Sequence, residues 1–315
     1  MVRVRCRFWI LLFTILSLTG CHREDTSKRL MVILVPSQDN PFFKAEADAA
    51  SGRALSMSYR VRVDAHNDDA FRQDNLIDAA IASNASAIIL DNAGADSSIA
   101  AVRRATKAGI ACFLIDREIN ATGIAKAQII ADNHQGSAIV AQYFVDAIGP
   151  SGGDYVELLG RESDTNAQVR TGGFHSVIDG QRNLVRVAAQ SANWSQSEAF
   201  QKTETMLQAH QNLRGIISGN DTMALGALAA VKSAGRAGII ITGFDGSPDA
   251  VAAIRLGELR ATSLQPAVQI ARLAVDEADQ FLKTGSTGEP ERQIIPCILV
   301  TRGNADDFRD FEKVR

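Results

Sequence analysis

The sequence is poor in several residue types, and each shortage excludes a class of protein. Aromatic residues make up only 6% of its 315 residues, and a formal net charge of −3 provides no basic face for a nucleic acid. The five histidines show no metal-ligand spacing, and neither a strand-turn-helix serine motif nor a phosphate-binding glycine loop is present. We therefore predict no cofactor, no bound metal, no nucleic-acid partner and no enzymatic activity.

Apolar runs of membrane-spanning length are also missing. Three arginines precede the apolar segment Phe8–Leu18, which is shorter than a membrane span and typical of an export signal. The letters LTGC follow, ending at Cys21, and resemble the lipobox of bacterial lipoproteins. We predict a signal peptide over residues 1–20, a lipid on Cys21 and a polar tether over residues 21–29. An ordinary signal peptide with an incidental cysteine is the alternative.

These features predict an exported, membrane-anchored lipoprotein of the periplasm. His22 stands where an aspartate would indicate retention in the inner membrane, so inner and outer membrane both stay open. The two later cysteines, Cys112 and Cys297, each lie in an apolar run. We predict buried free thiols there, although a disulfide is an alternative in an exported protein.

From Leu30 onward, short apolar runs alternate with amphipathic segments. In the first half the predicted strands are 30–35, 59–65, 87–90 and 111–115, and the predicted helices are 41–56, 70–83 and 97–108. In the second half the predicted strands are 155–159, 185–191, 215–218 and 239–244, and the predicted helices are 168–179, 196–209, 222–234 and 249–256. This alternation predicts an α/β fold with two doubly wound parallel sheets. The tail, a helix over 266–283 and a strand over 294–300, is too small for a domain and must complete those sheets.

Ligands of open parallel sheets bind beyond the carboxyl ends of the strands, so the residues there are candidates for a site. They are Asn40, Phe42, Phe43, Asp116, Arg117, Arg170, Asn193, Trp194, Asn220, Asp221, Asp245 and Gln265. Carboxylates, amides and guanidinium groups bind adjacent hydroxyls in pairs, and aromatic rings cover the apolar faces of a sugar. The set therefore favours a polyhydroxylated ligand.

Each candidate also has a purely structural interpretation. Asn40 can cap a helix that begins at Pro41, and we expect one of the two following rings to pack inward and the other to face the cleft. The pair Asp116–Arg117 could be a surface ion pair of little energetic consequence. The stretch GFDGSPD could be only a turn, and Trp194 could only anchor a loop.

At these positions the chain resembles the periplasmic sugar-binding proteins of the ribose-binding type, the solute receptors of bacterial ABC importers. The resemblance runs from about Arg29 to Val300. Its most specific stretches are NPFF (40–43), LIDRE (114–118), ADNHQG (131–136), NDTMALGA (220–227) and GFDGSPD (243–249).

The resemblance implies the type I periplasmic binding protein fold, with three crossovers near Asp132, Gln265 and Ile298. The implied N-terminal lobe is 30–132 plus 266–297, and the implied C-terminal lobe is 133–265 plus 298–315. A monomer of this kind closes its lobes around a small sugar or polyol and delivers it to an ABC transporter permease.

The resemblance also implies the ligand contacts: Asn40, Phe42, Phe43, Asp116, Arg117, Arg170, Trp194, Asn220, Asp245 and Gln265. Trp194 replaces a phenylalanine of the ribose-binding relatives, and the segment RESDTNAQV (161–169) differs from theirs. A pentose or similarly small sugar is thus implied, with ribose, another aldopentose, a ketose, a branched sugar and a polyol all open.

Three other functions are alternatives. A sugar receptor for a chemotaxis or sensor-kinase system would use the same site with a different partner. A sugar-responsive repressor needs an N-terminal helix-turn-helix, where this chain has an export signal. A glycosidase could use Asp116 and Asp245, but we expect the neighbouring arginines to keep both carboxylates ionised, which leaves no general acid.

Overall fold

A computed structural model describes residues 29–314 of the protein. The predicted signal peptide, the lipidation site Cys21 and nearly all of the predicted tether lie outside the described residues. Within residues 29–314, none of the helices combines the length and the apolar character that crossing a membrane requires.

The described chain alternates strands and helices in a regular order. The strands are β1 Leu30–Val35, β2 Arg60–Ala65, β3 Ala87–Leu90, β4 Ala111–Ile115, β5 Ala127–Ala131, β6 Gly153–Leu159, β7 Leu184–Ser191, β8 Leu213–Ser218, β9 Ile240–Thr242, β10 Ala261–Leu264, β11 Arg292–Ile295, β12 Ile298–Thr301, β13 Phe308–Arg309 and β14 Glu312–Lys313. The helices are α1 Pro41–Ser56, α2 Ala70–Ala82, α3 Ile99–Lys107, α4 Asn133–Ile148, α5 Thr165–Ile178, α6 Gln196–Ala209, α7 Asp221–Ser233, α8 Pro248–Leu256 and α9 Ala267–Thr284.

Two six-stranded sheets organise these elements. The first has the order β11-β5-β4-β3-β1-β2 and is parallel throughout, whereas the second has the order β12-β10-β9-β8-β6-β7 with only β12 antiparallel. The chain passes between the sheets after β5, after β10 and between β11 and β12. This confirms the predicted fold of two doubly wound lobes joined by three crossovers.

Helices cover both faces of each sheet because the central strands are apolar on both faces. All residues of β3, β4 and β5 are buried. On one face of the first sheet, Phe113 and other strand residues pack with residues of α1 and α9. The other face packs against α2 and α3. The second sheet has two corresponding cores, one of which packs Phe144 of α4 against Tyr155. Each large apolar side chain so buried contributes about 1.5–3 kcal/mol of transfer free energy.

The sequence prediction is wrong at the tail strand and incomplete at five elements. The expected single strand over 294–300 is two strands, of which β11 pairs with β5 and β12 pairs with β10. Pro296 separates them, since proline has no N–H for a ladder and the chain changes sheets there. The predicted strands and helices do not include β5, α4, β10, β13 or β14. The predicted lobe boundaries are supported by the strand membership of the two sheets, and we retain them as a proposal.

Both described cysteines are buried and neither is in a disulfide, as predicted. Burial raises the pKa of Cys112 and of Cys297 to about 12. Thiols with such a pKa stay protonated near neutral pH, so they are poor nucleophiles.

Candidate functional site

The carboxyl ends of the two sheets face each other across a small enclosed cavity. Its empty volume is ≈ 240 Å³. All ten residues predicted to bind ligand line it, together with two that were not predicted. The lining is Asn40, Phe42, Phe43, Asp116, Arg117, Asp164, Asn166, Arg170, Trp194, Asn220, Asp245 and Gln265.

Asn40 and the two phenylalanines bring the start of α1 to the cavity. The Asn40 side chain caps the helix by accepting a hydrogen bond from the Phe42 amide at 3.0 Å, and it also lines the cavity. The rings of Phe42 and Phe43 meet edge to face at 5.6 Å. The expectation that only one ring faces the cleft is wrong: both line the cavity, because it wraps around the first turn of the helix. Phe42 also contacts Phe311 edge to face, with centroids 5.7 Å apart.

Asp116 and Arg117 follow β4 and are not a surface pair, since both side chains are buried. Asp116 has a φ of 57°, a left-handed conformation that non-glycine residues adopt infrequently and that is enriched at functional sites. The Arg117 guanidinium lies over the ring of Phe43 at 5.0 Å.

Carboxylates surround the Arg117 guanidinium. Its nitrogens lie 2.6 Å from Asp68, 2.8 Å from Asp164, 3.4 Å from Asp91 and 3.8 Å from Asp116. Such charge-assisted contacts hold the planar guanidinium in one orientation. Three of these carboxylates are in the first lobe, whereas Asp164 belongs to the second.

Arg170 is the corresponding cation of the second lobe. Its Nε donates to Asn133 at 2.7 Å, and its Nη1 donates to the Gly219 carbonyl at 2.8 Å and to Asp245 at 3.3 Å. The same Asp245 oxygen accepts a hydrogen bond from Gln265 at 2.8 Å. Arg170, Asp245 and Gln265 therefore form one buried network with fixed donors and acceptors at the cavity wall.

Trp194 forms an aromatic wall of the second lobe. Its ring packs so closely on Gly160 that a Cβ at that glycine would overlap it, and a Cβ at Gly219 would lie 3.1 Å from the ring. The indole N–H donates to Asp164 at 3.0 Å, and the Arg170 guanidinium lies 5.3 Å from the ring centroid. Trp194 has a φ of 64°, which is strained for a bulky residue. The ring is therefore a wall of the cavity and more than a loop anchor.

Burial governs the ionisation of the cavity carboxyls. It is the main cause that raises the pKa of Asp116 to about 6 and the pKa of Asp245 well above its usual range, although Arg117 and Arg170 lower them. The sequence analysis expects the arginines to dominate, but burial has the larger influence on both groups, although Asp116 with its pKa of about 6 is still mostly ionised at neutral pH. Desolvation outweighs the nearby positive charge, a balance that sequence does not show.

Sequence reasoning missed Asp164 and Asn166, which lie at the start of α5. Asp164 is its N-cap and accepts a hydrogen bond from the Asn166 amide at 2.9 Å. The Asn166 side chain donates to Asp116 of the opposite lobe at 3.1 Å. The available signal was the segment 161–169, which differs from the ribose-binding pattern and contains both residues.

Two other candidates at strand ends, Asp221 and Asn193, do not line the cavity. Asp221 is buried, accepts hydrogen bonds from Thr262 at 2.6 Å and from the Ser247 amide at 2.7 Å, and does not line the cavity. Burial is the main cause that raises its pKa to about 7. Asn193 lines an outer groove beside the cavity and donates to Glu198 at 2.9 Å. Over residues 29–314, no three His, Cys, Asp or Glu side chains are grouped as metal ligands would be.

Comparison with known protein families gives a match that spans most of the chain. The model of the periplasmic binding protein domain matches residues 31–287. The chain belongs to this family.

Individual relatives agree with that assignment. The chain is 56% identical, over 88% of both chains, to a D-apiose import binding protein of Paraburkholderia graminis. It is 30% identical to the ribose import binding protein of Escherichia coli, over 82% of this chain and 86% of the relative. Among solved structures, an ABC transporter solute-binding protein of Actinobacillus succinogenes with bound D-allose has a TM-score of 0.83 and 26% identity, covering 89% of this chain and 100% of that one.

These findings confirm the predicted class of protein. The chain is an extracytoplasmic sugar-binding component of an ABC importer, and the family consists of solute-binding proteins rather than enzymes. The resemblance to the ribose-binding type is confirmed at the level of the family.

Proposed function

We propose that the sugar is D-apiose and that the ten cavity residues predicted from the sequence contact it. The observation that carries the choice of ligand is the 56% identity, over 88% of both chains, with a D-apiose import binding protein. The ribose import binding protein is far less similar, at 30% identity.

The cavity suits a small branched sugar. D-apiose carries a hydroxymethyl branch on its ring, closes only to furanose rings and presents hydroxyls in several directions. The cavity offers carboxyl, amide and guanidinium groups from both lobes, which can bind hydroxyls that point toward either sheet.

Trp194 is the feature that distinguishes this site from the ribose pattern. An indole covers more of a sugar face than a phenyl ring does, and its N–H is held by Asp164 at 3.0 Å. The wall is therefore both wider and fixed in orientation, which favours a compact furanose with an apolar face.

Calorimetric titration tests this proposal. We expect D-apiose to bind with a dissociation constant in the micromolar range or tighter, about −8 kcal/mol or below, and D-ribose and D-xylose to bind much more weakly. A thermal-shift series with the same sugars should give the same ranking, because a ligand that binds only the folded state raises the midpoint. Equal affinity for D-ribose and D-apiose would refute the choice of ligand, and binding of neither would refute a pentose site.

Two further features are part of the proposal. We infer that Cys21 carries a lipid that anchors the chain to a membrane, as the letters LTGC indicate. Incorporation of a labelled fatty acid into the wild type but not into Cys21→Ala would support this, and equal labelling would contradict it. We also infer a monomer, which light scattering of the sugar-bound chain measures directly.

A further inference from the structure

The loop after β6, residues 161–166, contacts the opposite lobe at several points. We call it the closing loop. Its contacts are the ion pair of Arg161 with Asp68 at 3.5 Å, the hydrogen bond from the Ala95 amide to the Ser163 carbonyl at 3.2 Å, the ion pair of Asp164 with Arg117 at 2.8 Å and the hydrogen bond from Asn166 to Asp116 at 3.1 Å. These contacts join groups of different lobes, so hinge opening breaks them.

Asp164 differs from the rest of the closing loop because it contacts two residues that line the cavity, Trp194 and Arg117. One carboxylate oxygen accepts the indole N–H of Trp194 at 3.0 Å and lies 2.8 Å from Nε of Arg117. The other oxygen accepts the Asn166 amide at 2.9 Å and thereby caps α5. Its side chain is 3% exposed, so these contacts are made away from solvent.

We infer that Asp164 is a positioning residue that couples lobe closure to the orientation of Trp194 and Arg117. Its contact with Trp194 lies within the second lobe and can persist when the lobes open. Its contact with Arg117 exists only when they close. Closing thus completes a rigid connection from the aromatic wall of one lobe to the cation of the other, and a ligand that contacts both walls benefits from it. This inference rests on the proposed function for the identity of the sugar.

Whether the charge of Asp164 favours or opposes lobe closure depends on its attraction to Arg117 and its repulsion from the other carboxylates. Asp164 approaches Arg117, but it also approaches Asp116 and Asp91. Asp164 is the strongest of the charges that hold Arg117 protonated, and it is also the strongest charge that raises the pKa of Asp116. Coulomb energy falls with distance, and Asp164 lies 2.8 Å from Nε of Arg117, closer to that nitrogen than Asp91 or Asp116. We therefore expect the attraction to prevail and Asp164 to favour the closed state.

Asp164→Asn separates the two contacts of one carboxylate oxygen, to Trp194 and Arg117, from the helix cap made by the other oxygen. Asparagine has one acceptor oxygen, and when that oxygen accepts the Asn166 amide the residue is an equally good N-cap. Its amide nitrogen then faces the indole N–H and Arg117, so both links of the connection are lost while the cap is kept. Glu162→Gln is the matched control, because Glu162 is an exposed acid of the same loop. Both variants are made in a chain with Trp9→Phe, which leaves Trp194 as its single tryptophan.

Two readouts test the inference. With D-apiose, Asp164→Asn should bind about tenfold more weakly by calorimetry, as expected for loss of a charge-assisted contact, with an unchanged thermal midpoint. Without sugar, acrylamide should quench Trp194 more strongly in Asp164→Asn than in the wild type, because the open state is more populated. Glu162→Gln should match the wild type in both.

The outcomes separate the inference from the proposed function. If no pentose binds the wild type, the proposed function fails, while the quenching experiment still reports on Asp164. If Asp164→Asn shows wild-type affinity and wild-type quenching, or binds more tightly, the inference is overturned. Weaker binding accompanied by a fall of the thermal midpoint equal to that of Asp164→Ala would also overturn it, because the residue would then be only structural.

Discussion

Replacing Asp245 with alanine removes a carboxyl that two donors share at the cavity wall. Its Oδ1 accepts hydrogen bonds from Gln265 at 2.8 Å and from Arg170 at 3.3 Å, and the residue is 4% exposed. Alanine therefore leaves the Gln265 amide without this acceptor in a buried site. Arg170 is affected less, since it still donates to Asn133 and to the Gly219 carbonyl.

The magnitude follows from the contact with the sugar and the network behind it. A hydrogen bond to a charged group contributes about 1.5–3 kcal/mol. Loss of one such contact lowers affinity by about 10- to 150-fold. Asp245→Asn should lose less than alanine does, because the amide keeps one acceptor oxygen for Gln265. The graded loss distinguishes a missing contact from a collapsed site.

Calorimetric titration of the sugar measures this loss. Asp249→Ala is the control, because Asp249 is an exposed acid of the same GFDGSPD stretch and does not line the cavity. It should bind as the wild type does. Wild-type affinity in Asp245→Ala would remove Asp245 from the site and refute the reasoning about the shared carboxyl.

Three other predictions concern the supports of the site. Gly160→Ala should lower sugar affinity at least about tenfold and shift the fluorescence of Trp194, because a Cβ would overlap the indole; unchanged fluorescence and affinity would contradict the packing. Burial lowers the pKa of His66 to about 4. The folded chain then binds fewer protons than the unfolded chain between roughly pH 6.5 and pH 4, and the free energy of unfolding falls as pH falls through that window. From pH 7 to pH 5 the wild type should lose about 2 kcal/mol more than His66→Gln in urea titrations; equal losses would count against a neutral buried imidazole. Phe311→Ala should lower the free energy of unfolding by about 3–5 kcal/mol and also weaken sugar binding, because Phe311 packs on Phe42. A loss of stability with wild-type sugar affinity would show that Phe311 does not support the Phe42 wall of the cavity.

The sequence was sufficient for the fold and for most of the cavity lining because both follow local rules. Apolar runs mark strands buried on both faces, and the polar residues after them lie at the carboxyl ends that meet in the cleft. Asn40 illustrates this, since its cap and its place at the cavity both follow from its position before Pro41.

What the sequence did not show depends on contacts between distant segments. Asp164 approaches Arg117 only because two lobes close, and nothing in the local letters SDTN indicates that partner. The raised pKa of Asp116 has the same origin, because burial in the closed cleft outweighs the adjacent Arg117. The division of residues 294–300 into two strands also reflects a tertiary requirement, since the chain changes sheets at Pro296.

A crystal structure of the protein grown with D-apiose tests the central claim most directly. We expect one sugar between the lobes, with hydroxyls bound by Asp116 and Arg117 on one side and by Asp245 on the other, and with Trp194 against its ring. A sugar that contacts only one lobe, or that binds outside the enclosed cavity, would contradict the account.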